Sequence, residues 1–142
     1  MPLTFREKSL WLQLTSLVVI FGAYFGHILP TASIDVTPDR IATFIGMLVV
    51  LVAIQIGGHV LLAFANRHEL AAPVQSDERD MRIRLAGEQY SGYALVTGVF
   101  CSLCVALLVP GNFVFVHVLL AFWVAAEITG IVTRIVLYRR GL

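Results

Sequence analysis

The sequence predicts an all-α integral membrane protein, a four-helix bundle that crosses the bilayer four times and keeps both termini cytoplasmic. Three observations carry this. Of 142 residues, 58% are hydrophobic and only 13% charged, about half the charged share of a soluble domain, and the mean hydropathy is +0.86. The apolar residues form four continuous runs, and a hydrocarbon core of about 30 Å needs roughly 20 helical residues. The basic residues also sort by side. Arg6, Lys8, Arg67, Arg79, Arg82, Arg84, Arg134, Arg139 and Arg140 all fall on one face of a four-span topology, and Arg40 stands alone on the other. By the positive-inside rule that crowded face is cytoplasmic. The net charge of +1 excludes a basic nucleic-acid binder and a polyelectrolyte tail, so no nucleic-acid partner is expected.

The first span is expected at residues 10–29, a run without charge. It is too long for the core of a signal peptide, and no small-x-small cleavage site follows it, so it reads as a retained helix. Pro30 ends it, because the residue before a proline is pushed out of helical geometry. Thr37-Pro38-Asp39 starts the second span, expected at 41–65, with proline near the first helical position, where its missing N–H is harmless. The long connection 66–88 is irregular around Pro73 and then turns helical. Ser76 or Asp77 is placed to cap that helix, and Asp77, Glu78 and Asp80 sit where its dipole favours acids. Glu78 is spaced to pair with Arg82, and Asp80 with Arg84. No proline interrupts the passage into the third span, so one long helix is expected from Asp77 to Val109. Residues 77–89 form its cytoplasmic extension and 90–109 its transmembrane part. Val109-Pro110-Gly111-Asn112 is a tight turn, with Asn112 placed to cap the fourth span at 113–137.

Asp77-Glu78-Arg79-Asp80, with Ile83, Tyr90 and Tyr93 leading into an apolar helix, resembles a family of small bacterial and archaeal membrane proteins. That family has four predicted spans, an Asp-Glu-Arg-Asp/Glu motif ahead of the third, and no assigned function. The resemblance implies a fold and a bacterial or archaeal cytoplasmic (inner) membrane location. Some relatives accompany small helix-turn-helix regulators, which implies a membrane sensor or a regulator's partner. Read from residues alone, the motif is either a solvated helix start with surface salt bridges or a docking surface for a cytoplasmic protein that includes Arg84. A cation held by Asp77 and Asp80, with His68 or Glu69, is opposed by the neighbouring arginines.

Polar residues inside the spans supply the other candidates. Glu127 lies roughly 22 Å into the fourth helix at 1.5 Å per residue, where an acid costs a few kcal/mol unless neutral or paired. Gln55 is at similar depth on the second helix, and His59 is one turn further on the same face. Gln55, His59 and Glu127 are therefore expected to form a polar spot between the second and fourth helices, with Arg134 near the inner surface. Such a spot is either a hydrogen-bonded clamp between helices or a proton- or cation-coupled site. Toward the other face, His27, His117, Cys101 and Cys104 offer ligands for haem or a transition metal, although their spacing matches no metal motif and no cofactor is predicted. Two buried cysteines also serve as ordinary packing residues. Gly22-x-x-x-Gly26 and Ala126-x-x-x-Gly130 mark faces for close helix approach.

No nucleotide-binding loop, catalytic triad or metalloprotease motif occurs, so an enzyme is not expected. Four helices enclose little volume, which favours a homo-oligomer in the lipid bilayer if a path is to form. Three functions follow: a scaffold or regulatory subunit docking a cytoplasmic protein, a proton- or cation-coupled transporter or channel subunit, and a haem or metal protein.

Overall fold

A computed structural model describes residues 5–67 and 78–140. They hold four long helices: α1 (Phe5–Ile28), prolonged by a 3-10 turn at Leu29–Thr31, α2 (Pro38–Ala65), α3 (Glu78–Leu108) and α4 (Phe113–Arg140). Each is long and apolar enough to cross a membrane, and the chain is a small all-helical membrane-spanning protein. The helices overshoot the apolar runs because polar residues at a bilayer surface keep their intrahelical hydrogen bonds. The third is the continuous helix that the uninterrupted sequence predicts. The proposed cap at Ser76 or Asp77 lies outside the described residues.

Helix ends follow local chemistry. Pro30 sits in the first turn of the 3-10 segment. Thr37 is extended at φ −87°, ψ 158°, and Pro38 opens α2 behind it. Asn66 closes α2: its backbone N–H and its side-chain amide both donate to the Leu62 carbonyl, at 3.1 and 2.7 Å. Gly111, at φ +83°, turns the chain from α3 to α4.

The helices pack in the order α2, α1, α4, α3. The α3–α4 hairpin is the closest pair, and its contact is built from small residues. Gly87 and Gly98 of α3 are buried, and Gly130 of α4 packs against Ser91 and the Gly87 carbonyl. Ser102, also buried, returns its hydroxyl to the Gly98 carbonyl at 2.7 Å, so it adds no exposed polar atom to the interface. Of the two motifs anticipated from the sequence, Ala126 and Gly130 are buried, whereas Gly22 and Gly26 have no atom within 4 Å of where a Cβ would stand.

The main core lies between α1 and α4. Leu17, Phe21, Tyr24 and Ile28 present one face of α1 to Phe113, Leu120 and Val124, and Leu51 of α2 closes the cluster. Leu51 is the one buried residue of α2, and most of that helix presents valine, isoleucine and leucine outward. Lipid is as apolar as a protein core, so a lipid-facing helix needs no polar face. In water the same surface would be a large sticky patch.

Each end of the bundle is pinned. At the loop end, the Phe113 N–H donates to the Ile34 carbonyl (3.1 Å) and the Val36 N–H to Asn112 Oδ1 (2.8 Å). Asn112 thus ties the two loops together with its side chain, where the sequence suggested a cap for α4; its backbone carbonyl accepts the first α4 bond, from Val116. Arg40 lies 4.8 Å over the Phe113 ring. At the arginine-rich end, Asp80 pairs with Arg6 of α1 and accepts a 3.1 Å bond from the Tyr138 hydroxyl of α4. The spacing-predicted pair Glu78–Arg82 forms at 3.5 Å. The expected Asp80–Arg84 pair does not, because Asp80 is turned inward and Arg84 meets Glu88 at 3.6 Å.

Candidate functional site

Gln55 and His59 stand one turn apart on α2, and Glu127 and Arg134 two turns apart on α4. Because α1 packs against both helices, these four residues face a common groove of about 610 Å³, whose floor includes Gln13 and Leu17 of α1 and whose α4 wall includes Trp123.

The α2 side of the groove is bound to α1. Gln55 Nε2 donates to Ser16 Oγ at 2.8 Å, and the Ser16 hydroxyl donates to the Gln13 carbonyl at 3.0 Å. His59 Nδ1 lies 2.7 Å from the Gln55 carbonyl, and its Nε2 lies 2.9 Å from Ser9 Oγ. A carbonyl only accepts, so Nδ1 carries a hydrogen, and in the neutral ring Nε2 accepts from Ser9. Lys8 Nζ donates to Asn66 Oδ1 at 2.6 Å, completing a polar ladder down the α1–α2 interface. Gly58 leaves the space that Leu12 fills between the rungs, since a Cβ there would fall 2.7 Å from Leu12 Cδ2. One acceptor is left over: Gln55 Oε1 is buried without a hydrogen-bond partner among the described residues.

The α4 side differs. Glu127 is near the midpoint of its helix, about 21 Å from Phe113 at 1.5 Å per residue, and it is exposed to the groove. Among the described residues no hydrogen bond or ion pair reaches it. Arg134 is half-buried and turned toward α3, where its Cγ and Nε come within 2.7 Å of where a Gly87 Cβ would stand. Its Nε is buried and without a partner among the described residues. Gln55, His59 and Glu127 therefore share a groove, but the first two are held by α1 and not by the acid. The serines that hold them were not singled out from the sequence, although Ser9, Gln13 and Ser16 follow helical spacing on a single face.

The metal candidates do not gather into one group among the described residues. His117 is 5% exposed, with Nδ1 2.7 Å from the Phe113 carbonyl and Nε2 3.2 Å from the Tyr24 hydroxyl. Both ring nitrogens are engaged, and the Phe113 ring lies 4.1 Å away. His27 is exposed on α1. Cys101 and Cys104 are free thiols on α3, and α4 stands between α1 and α3 in the packing order. Among the described residues no group of three or more His, Cys, Asp or Glu side chains stands close enough to hold a metal ion.

Of the Asp77–Asp80 motif and Arg84, Glu78 and Arg84 are exposed on α3, while Asp80 and Arg79 reach back to the bundle, Arg79 to the Tyr138 carbonyl at 3.5 Å. Asp77 lies outside the described residues. The chain matches no known protein family, no curated protein and no solved structure.

Proposed function

We propose that this membrane-spanning protein takes up a proton or small cation at Glu127 and serves as a subunit of a cation-coupled transport system, catalysing no covalent step. The observation that carries the reading is Glu127 itself. It is an acid at mid-helix, open to a groove that Gln55, His59 and Arg134 also line, with no partner among the described residues. An unpaired carboxylate at that depth is costly and is a functional site by default. A proton or cation relieves that cost, and the unpartnered Gln55 Oε1 adds an acceptor to the same groove. The groove opens to the side of the bundle, so in this proposal a second copy of the chain closes it. The arginine-rich end and both termini face the cytoplasm of a bacterial or archaeal inner membrane, in keeping with the four-span family that the Asp77–Asp80 motif resembles.

The test is proteoliposome flux under imposed proton, sodium or potassium gradients, with and without Glu127→Gln. Flux in the wild type and its loss in the variant are expected. Equal flux in both, or none in the wild type under any gradient, refutes the reading.

A scaffold or regulatory role is the second reading, favoured by the exposed pairs Glu78–Arg82 and Arg84–Glu88 on the projecting turns of α3. Asp80 is occupied within the bundle, so capture of a cytoplasmic partner is best tested by replacing Glu78 and Glu88. Binding of haem or a metal draws no support from the positions of His27, His117, Cys101 and Cys104.

A further inference from the structure

We infer that the arginine-rich end of the bundle holds a phosphate-bearing anion, the headgroup of an anionic phospholipid, in a cavity between α1, α3 and α4. The cavity has a volume of about 750 Å³. Among the described residues the charged groups facing it are Arg6, Arg82, Arg84 and Arg134 against Glu78 and Asp80; with Glu88, which pairs with Arg84, four positive charges meet three negative. The excess favours an anion.

The arginines are not equivalent. Arg6 is held by Asp80, and Arg82 and Arg84 make long, exposed pairs with Glu78 and Glu88. Among the described residues Arg134 has no such partner, and its Nε is buried and unbonded. A buried, unsatisfied N–H is costly, and a guanidinium fork matches phosphate oxygens in pairs. Gly87 leaves the room that this side chain occupies, because a Cβ there would stand 2.7 Å from Arg134 Cγ and Nε.

A free phosphate shares this chemistry. The lipid is the assigned source because Phe5, Leu10 and Met81 give the same cavity an apolar side suited to glycerol and the first acyl carbons. Basic pockets between helices at a membrane surface recognise lipid headgroups in this way. The site does not depend on Glu127 or on ion flux.

The experiment is native mass spectrometry of the full chain in mild detergent, titrated with phosphatidylglycerol or phosphatidylcholine, with inorganic phosphate as competitor. One phosphatidylglycerol is expected to bind at least tenfold more tightly than phosphatidylcholine. Arg134→Gln is expected to weaken it about tenfold, the scale of a lost charge-assisted pair. Arg140→Gln, which removes the same charge from the exposed end of α4, is expected to leave binding within twofold. Circular dichroism checks that Arg134→Gln folds. If it does not, Arg84→Gln at the exposed rim carries the test, with a loss of threefold or more expected. Equal binding of the two lipids, or equal loss in the Arg134 and Arg140 variants, overturns the site. Displacement of the lipid by inorganic phosphate at matching concentration overturns the lipid as source and supports a phosphate site filled from solution.

Discussion

Replacing Gly98 by Ala tests how the α3–α4 hairpin is held. An ideal Cβ at Gly98 would stand 2.2 Å from Phe122 Cβ, 2.6 Å from its Cγ and 2.9 Å from its Cδ1. Carbon atoms rest at about 3.5–4.0 Å, so the helices must part locally by about 1.5 Å. A rotamer change cannot relieve the contact, because Phe122 Cβ is fixed to its own backbone. Forced overpacking costs about 1–3 kcal/mol, and this contact is severe enough for the upper part of that range. Alanine's helix propensity returns about 1 kcal/mol. The net is a destabilisation of about 2 kcal/mol, or roughly thirtyfold in the folding equilibrium. Reversible unfolding in mixed detergent micelles, followed by circular dichroism, measures it. Gly92→Ala is the matched control, since no atom lies within 4 Å of that Cβ position, and it is expected to be neutral or slightly stabilising. Unchanged stability in Gly98→Ala, or an equal loss in Gly92→Ala, refutes the argument.

Asp80→Ala removes both the Arg6 ion pair and the Tyr138 hydrogen bond. The pair is partly exposed, so the global loss is expected to be about 1 kcal/mol, with severalfold faster amide hydrogen exchange at residues 6–10 of α1. Unchanged exchange there would show that Asp80 does not tie α1 to α3. Gly111→Ala forces a side chain onto a positive φ and places its Cβ 2.1 Å from the Ile34 carbonyl oxygen. Strain of about 1–3 kcal/mol is expected, read as a lower thermal midpoint, and a midpoint equal to the wild type would contradict the described loop contact.

The polar residues show where sequence reasoning reaches and where it stops. Periodicity puts Gln55 and His59 on one face, and helix geometry predicts a similar depth for Glu127; all three line the groove. Their partners were not legible. A hydrogen bond between helices depends on which helices are neighbours, and an apolar run carries no record of that. Ser9 and Ser16 proved to be the partners because α1 packs between α2 and α4. Asp80 makes the same point from the other end of the chain. Local spacing offered it Arg84, but a bundle contact brought Arg6 and Tyr138, and a surface pair along one helix is worth only tenths of a kcal/mol. Of two small-residue motifs, only the one on α4 packs against another helix among the described residues, and the Gly87 and Gly98 positions that matter on α3 stood out only once Gly130 and Phe122 faced them.

The sequence by itself determined that this is a membrane-spanning protein of four helices, and where the chain turns between them. Those properties follow from local forces: apolar run length against bilayer thickness, and the backbone limits imposed by Pro30, Pro38, Pro110 and Gly111. Tertiary structure decided the order of the helices, the partners of Gln55, His59 and Asp80, and the exposure of Glu127. Helix packing in a membrane rests on close surface fit and a few polar contacts rather than on hydrophobic pattern, and fit is a property of two surfaces that no single helix sequence specifies.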